Sequence, residues 1–244
     1  MGAHGRPTPQ PDRPAGDGPR FQDRLPEDYV HADVNPFVRS HRTWGPTLLT
    51  AEQAWQSRGK WSECFGRDNP LHVEIGPGNG FFIRELARRN PDWNVLGVEI
   101  RYKRVVLCAK KIDGAGLKNA KIARYHAAYL DDLFTDGTLS GLYINHPDPW
   151  PKIRHEKNRL ISRWFLQDAA RLLKPGAWLR LKSDFEDNIG RVPELLEGLP
   201  FDITGRSDDV ITGPAPWPDD IETNYQKKFR LKGEPVYAIE LVRT

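Results

Sequence analysis

Apolar positions follow two alternating periods from residue 71 onward. Leu71, Val73 and Ile75 alternate with His72 and Glu74 just before a glycine turn, the pattern of a short strand. Phe82, Ile83 and Leu86 then share one face of a helix that Pro91 closes. Val95–Ile100 predicts the next strand, 102–112 a helix, 121–126 a third strand and Leu142–Asn145 a fourth. Leu160, Ile161, Trp164, Phe165, Ala169, Leu172 and Leu173 recur at helical spacing. They predict a helix over about 157–173, stopped by Lys174-Pro175-Gly176. Trp178–Lys182, Phe201–Thr204 and Val236–Val242 supply three more strands, with a helix over Glu186–Glu197. Repeated strand–helix units predict an α/β fold: a seven-stranded, mainly parallel sheet with helices on both faces.

Outside that region the periodicity fades. The first 20 residues are rich in Pro and Gly, too polar to offset the entropy of ordering, and a disordered tail over 1–28 is expected. Residues 29–65 carry Trp44, Trp55 and Trp61 beside a basic patch, and predict an ordered arm packed on the main domain (29–244). Residues 205–234 hold several turn residues and little periodicity; a loop of that length in a compact domain usually serves function or is disordered.

The 244 residues are 38% hydrophobic, enough for a sizeable core. Mean hydropathy is −0.64. No run approaches the ~18 apolar residues of a membrane span, and the N-terminus lacks the apolar stretch of a secretory signal. A cytoplasmic protein with no membrane partner is expected. Cys64 and Cys108 are far apart, and no two histidines have metal-ligand spacing, so neither a disulfide nor a metal is expected.

Net charge is +3, from 36 basic and 33 acidic side chains. The basic residues cluster at Arg39–Arg42, Arg101–Arg104, Lys110-Lys111, Lys152–Arg159 and Lys227–Lys232. Gathered on one face they form a phosphate-binding footprint; scattered, they are ordinary solvated surface.

Two stretches carry candidate chemistry. Glu74-Ile75-Gly76-Pro77-Gly78-Asn79-Gly80 joins the first strand to its helix. Glycines here let the backbone turn sharply and approach a ligand closely, and the helix that follows presents free N–H groups. Glu99, ending the second strand, is placed to accept both hydroxyl protons of a ribose. The NAD fingerprint requires a glycine where this chain has Phe81. The turn instead resembles the S-adenosylmethionine loop of Rossmann-like class I methyltransferases; a tight turn without ligand is the plainer alternative. The second stretch, Pro147-Asp148-Pro149-Trp150-Pro151-Lys152, cannot continue a strand, because three prolines fix φ and remove donors. It holds Asp148 and Trp150 stiffly at the sheet's carboxyl edge and leads into the basic run Ile153–Arg159. An acid beside a methyl donor, followed by positive charge, suits a nucleic-acid substrate.

The run from Pro147 to Arg159 resembles the signature of the bacterial tRNA (guanine-N7-)-methyltransferases, the TrmB family. Glu222–Phe229 is similar to that family's substrate-recognition segment, and Lys182-Ser183-Asp184 agrees in order and spacing. The resemblance covers roughly residues 35–242. It implies a class I fold, S-adenosyl-L-methionine as cofactor with S-adenosyl-L-homocysteine as product, and tRNA as partner, methylated at guanine-46 of the variable loop. It implies cofactor contacts by Glu74, Gly76, Gly78, Gly80, Glu99, His126 and Asp148, with Asp148 also catalytic. His126 stands where the family usually has Asp. Substrate contacts would come from Lys152, Asp184, Thr223, Asn224, Tyr225 and Gln226, the last replacing a frequent Glu. Asn145-His146 replaces a more apolar pair. A monomer or homodimer without an obligate protein subunit is expected. Two other readings stay open: an exocyclic-amino methyltransferase, whose loop carries adjacent prolines that this one lacks, and an inactive RNA-binding or scaffold relative.

Overall fold

The computed structural model describes residues 18–23 and 35–244. Strands β1 (Leu48–Leu49), β2 (Leu71–Ile75), β3 (Asn94–Glu99), β4 (Ala120–Arg124), β5 (Leu139–Asn145), β6 (Leu173–Ser183), β7 (Phe201–Ser207) and β8 (Tyr237–Arg243) form one sheet. Its order is β1-β4-β3-β2-β5-β6-β8-β7. Every pairing is parallel except those made by β8, so the carboxyl ends of β1 to β6 share one rim. The sheet therefore has eight strands rather than the seven expected. The addition is β1, whose two residues pair with Ile122 and Ala123 of β4; two residues are too few to show a period.

Helices cover both faces. On one lie α4 (Phe81–Arg89) and α5 (Tyr102–Gly114), which bury Phe82, Ile83 and Leu86, then Val105, Cys108, Ala109 and Ile112, against Val95 and Ile122. Each buried side chain of this size contributes about 1.5–3 kcal/mol. On the other face lie α2 (Ala51–Gln56), α3 (Trp61–Phe65), α6 (Arg163–Leu172), α7 (Asp187–Gly190) and α8 (Val192–Leu195), packed on Val73, Leu96, Leu142 and Leu179. Before them, α1 (Pro36–Thr43) packs against α5. Among the described residues no helix is long and apolar enough to cross a membrane.

Three expectations need correction. The helix expected over 157–173 starts at Arg163, where Ser162 Oγ accepts from the Phe165 amide; 153–158 is a 3-10 turn, and Trp164 is 61% exposed. The helix expected over 186–197 breaks into α7 and α8 around Arg191, because Pro193 has no amide hydrogen to carry a continuous ladder. Within 205–234, β7 runs on to Ser207 and a helix α9 spans Asn224–Lys232.

The expected tail over 1–28 lies outside the described residues for 1–17 and 24–28. Between them, residues 18–23 pack on the domain rather than standing off it. Arg20 donates from Nε to Asp132 Oδ1 at 2.6 Å and pairs with Asp131, while Asp23 pairs with Arg124. Phe21 meets Tyr125 edge-on at 5.2 Å. Three ion pairs and a ring contact offset the ordering cost that composition alone left uncovered. Of the arm expected over 29–65, residues 29–34 lie outside the described set; the rest forms α1, β1, α2 and α3 against the sheet.

Candidate active site

The glycine turn sits at the carboxyl end of β2, in the centre of the rim. Gly76, Gly78 and Gly80 all have positive φ, 69°, 54° and 77°. Gly80 is also required by space: a Cβ there would lie 2.7 Å from Cys108 Sγ and 2.9 Å from Cys108 Cα. The turn thereby sits close against α5. Beneath it, Glu74 is buried. Its Oε1 accepts from Asn145 Nδ2 at 3.0 Å, and its Oε2 has no partner among the described residues. Burial pushes this carboxyl up to about 8, against the hydrogen bond from Asn145 that favours the charged form. The Ile83 backbone amide, on the helix that follows the turn, also favours the charged form.

Glu99 closes β3 beside it. Its Oε1 accepts from the amides of Ile100 and Arg101 at 2.8 and 2.9 Å, which orients the carboxyl at the rim. Burial raises its pKa, opposed by those two amides. His126 follows β4; its Nδ1 accepts from the Ala128 amide at 3.1 Å and caps a 3-10 turn over Ala127–Asp132. A buried carboxyl, a backbone cradle of left-handed glycines and a second oriented carboxylate fit a cofactor that carries amino, carboxylate and ribose groups.

The proline loop leaves the neighbouring strand. β5 pairs β2 in parallel, with Glu74 opposite Tyr143, so Asn145 ends level with the glycine turn. Asp148 lies three residues on, within about 11 Å of Asn145 along the chain. It is exposed at the rim. The loop is held from below: Asn188 donates to the Pro147 carbonyl at 3.4 Å and Arg159 to the Trp150 carbonyl at 3.4 Å. His146 and Trp150 both have left-handed backbones, φ 52° and 41°, the cost of turning so sharply between prolines. Lys152, Arg154 and Lys157 continue outward, all exposed.

The segment Glu222–Phe229 docks on the same rim, at the ends of β5 and β6. Thr223 caps α9 by accepting from the Gln226 amide at 2.9 Å, and Gln226 Oε1 reaches back to the Thr223 amide at 3.4 Å, a reciprocal capping box. Lys182, buried at the end of β6, spends its three donors on this segment and the two residues before it: Asp220 Oδ2 at 2.6 Å, the Ile221 carbonyl at 3.0 Å and Gln226 Oε1 at 3.0 Å. Burial lowers the pKa of Lys182, and Asp220 opposes that.

Of the residues expected to meet substrate, Lys152, Asp184, Asn224 and Tyr225 remain accessible, Tyr225 at 51%. Thr223 and Gln226 do not. Both are buried, and the Gln226 amide is used inside the protein, its Nε2 donating to the Val210 carbonyl at 3.4 Å. A guanine contact by Gln226 is therefore replaced by a structural one, because its Lys182 and Thr223 partners already take its oxygen. Three residues went unrecognised as site supports: Lys182, Asp220 and Asn145. Thr223 and Gln226 at capping-box spacing, with Gly233 as stop, were the available signal for α9.

Basic groups converge on this rim. Lys152–Lys157 leave the proline loop, Lys228 lies 5.3 Å from the Tyr225 ring on α9, and Lys103 at the start of α5 lies 5.7 Å from Phe37 of α1. Basic side chains thus stand on the proline loop, on α9 and at the start of α5, three segments that adjoin the carboxyl ends of the parallel strands.

A family model described as a putative methyltransferase matches residues 68–239. The tRNA (guanine-N(7)-)-methyltransferase of Geobacillus kaustophilus is 38% identical over 195 residues, covering 76% of this chain and 85% of that protein. Its counterpart in Bacillus licheniformis is 33% identical over 210 residues, covering 82% and 96%. The chain belongs to the tRNA (guanine-N7-)-methyltransferase family. Among solved structures, the 16S rRNA methyltransferase KamB aligns with a TM-score of 0.58 at 15% identity, covering 76% of this chain and 94% of that one. An antibiotic-related methyltransferase aligns with the same TM-score at 17% identity, covering 75% and 94%. At such identities these two speak to the fold alone: the Rossmann-like class I methyltransferase architecture, here with one extra edge strand on the β4 side.

Proposed function

We propose that this methyltransferase holds its cofactor between Glu74, the Gly76–Gly80 turn, Glu99 and the His126 corner, and aligns guanine-46 of the tRNA variable loop through Asp148. The reaction transfers a methyl group from S-adenosylmethionine to N7 of a guanine in tRNA, leaving 7-methylguanosine and S-adenosylhomocysteine. The observation that carries the residue assignment is the parallel pairing of β2 with β5. It sets the glycine turn and the proline-bounded acid side by side on one rim.

The chemistry asks little proton transfer of the protein. The cofactor supplies an electrophilic methyl group on a cationic sulfur. Guanine N7 carries a lone pair and no proton, so no general base is needed at that atom. What the residues contribute is alignment and electrostatics. Asp148, anchored in a stiff loop, faces a purine that gains positive charge as it is alkylated, or accepts from its N1–H and amino group. Lys152 contacts phosphate, and Asp184, Asn224 and Tyr225 contact the RNA, with Thr223 and Gln226 supporting them from beneath.

Methylation of unmodified tRNA with labelled cofactor, followed by aniline cleavage, tests this reading. Cleavage at a single variable-loop guanine is expected, since N7 methylation weakens that nucleoside's glycosidic bond. Label retained on an uncleavable guanine would place the methyl on another atom and overturn the assignment.

A further inference from the structure

His146 follows β5 directly, and its surroundings are specific. Its imidazole is only 3% exposed. Nδ1 lies 3.1 Å from Asp184 Oδ1, and Nε2 lies 2.9 Å from Thr223 Oγ1. The rings of Tyr225 and Phe229 stack on it at 5.4 and 5.8 Å, tilted by 29° and 18°. Its own amide donates to the Lys182 carbonyl at 2.8 Å. One side chain therefore touches β6's exit, the cap of α9 and two aromatic rings of α9.

The donor pattern makes Nδ1 a donor and gives Nε2 a hydroxyl partner. The Asp184 carboxylate can only accept, so Nδ1 donates. Thr223 Oγ1 already accepts from the Gln226 amide, which leaves its hydroxyl hydrogen free to donate to Nε2. The resulting chain runs Gln226 amide to Thr223, Thr223 to His146, His146 to Asp184. Burial pulls the Asp184 pKa up, but the hydrogen bond from His146 and its own backbone amide outweigh that and hold it below the usual aspartate value. Asp184 is thus kept as an oriented anion.

We propose that His146 is a positioning residue for tRNA recognition: it fixes Asp184 directly and, through Thr223, the start of α9 with Asn224 and Tyr225, relative to the loop bearing Asp148. The inference rests on the reading of Asp184, Asn224 and Tyr225 as substrate contacts. The stacking alone needs only a ring; the orientation of Asp184 and of Thr223 needs a donor and an acceptor on opposite sides of that ring. Neighbouring Asn145 turns the other way, to Glu74, so two consecutive residues brace the cofactor side and the RNA side of the rim.

The test compares His146→Phe, His146→Asn and Asp184→Asn, reading KM for tRNA, kcat and the S-adenosylhomocysteine Kd. His146→Phe keeps a ring and removes both hydrogen bonds; an about tenfold rise in tRNA KM is expected, the scale of losing a hydrogen bond to a charged group. The homocysteine product should bind within about twofold of wild type, a split that general unfolding would not produce. His146→Asn places an amide nitrogen where Nδ1 stood, tolerates the left-handed backbone and should recover most of the loss. If Asp184→Asn raises KM and His146→Phe does not, the positioning role falls and the substrate assignment stands. If neither changes KM, both fall. Should His146→Phe fail to fold, His146→Asn and His146→Gln decide: a lower KM for Asn, which keeps the Asp184 contact, supports the proposal, and equal values overturn it.

Discussion

Asn145 Nδ2 and Glu74 Oε1 are joined at 3.0 Å, a hydrogen bond that ties the last residue of β5 to the penultimate residue of β2. It orients one oxygen of Glu74 and leaves the other facing the space under the glycine turn. The amide also fixes where the proline loop begins, two residues before its first rigid peptide. The strand that ends in the glycine turn and the strand that leads to Asp148 are thus coupled through a single side chain.

Glu74 makes stability depend on pH in a definite direction. Unfolded, a glutamate titrates near 4.5; folded, burial holds this one at about 8. Between those values the folded chain keeps a proton that the unfolded chain has released. The contribution of Glu74 to stability therefore declines as pH rises from about 4.5 towards about 8 and is constant above. Glu74→Gln removes that decline. Urea midpoints of the two apo proteins, measured across this range, should diverge with rising pH in favour of the variant, while its S-adenosylhomocysteine affinity drops by about tenfold or more. Parallel midpoint curves would show that Glu74 titrates normally.

Gly80→Ala tests the seat of the turn. The new Cβ meets both Sγ and Cα of Cys108, at 2.7 and 2.9 Å, with φ at 77°. Because one of these atoms is backbone, trimming Cys108 to alanine does not make room. A loss of about 3 kcal/mol is expected, from overpacking plus left-handed strain. Gly78→Ala, whose Cβ would meet only the Gly76 carbonyl at 4.0 Å, should lose about 1 kcal/mol from strain alone. Equal losses in urea titrations would mean that contact with α5 is not what selects glycine at position 80.

The sheet was readable from sequence wherever burial forced a pattern. β3 and the end of β5 are buried on both faces and read as apolar runs, β2 reads as an alternation although His72 and Glu74 are buried too, and α4 and α5 show an apolar stripe because they cover the sheet on one side only. α9 was not readable by period, since Gln226 is its one buried residue, Asn224 and Phe229 are half-buried and the rest is exposed. The glycine turn and the Asp148 loop announced themselves through residues whose backbone geometry few others adopt. Lys182 and Asn145 did not: a lysine in a strand and an asparagine at its end acquire meaning only once β6 and β5 bring them against Asp220 and Glu74.

Lys182 takes its counter-charge from Asp220 and only a neutral oxygen from position 226. Gln226 is neutral, and Asp220 supplies the carboxylate that Lys182 requires, at 2.6 Å. Gln226→Glu would bring a second buried carboxylate to the same ammonium and should destabilise the chain. Adding Asp220→Asn should return most of the stability, because the ammonium again faces one anion. Lys182→Met should cost about 3 kcal/mol by leaving Asp220 and the Ile221 carbonyl without their donor. Additive effects of the two substitutions at 226 and 220, in thermal unfolding, would dismiss the exchange.

Asp148 and Lys152 stand four residues apart on one loop and should fail in different ways. Asp148 is exposed, in a segment whose ends are pinned by Asn188 and Arg159. Asp148→Ala should lower kcat by about 10²-fold, the scale of one preorganised electrostatic group, while tRNA binding persists. Lys152→Ala should leave kcat at saturating tRNA nearly unchanged and weaken binding most at low salt. A phosphate contact releases about one counterion, so the slope of log affinity against log salt should become shallower by about 1. Near-normal turnover in the first variant would remove Asp148 from the reaction, and an unaltered slope in the second would remove Lys152 from the phosphate backbone. Because the two measurements are independent, loop damage that mimicked both losses would be exposed by a fall in kcat for Lys152→Ala as well.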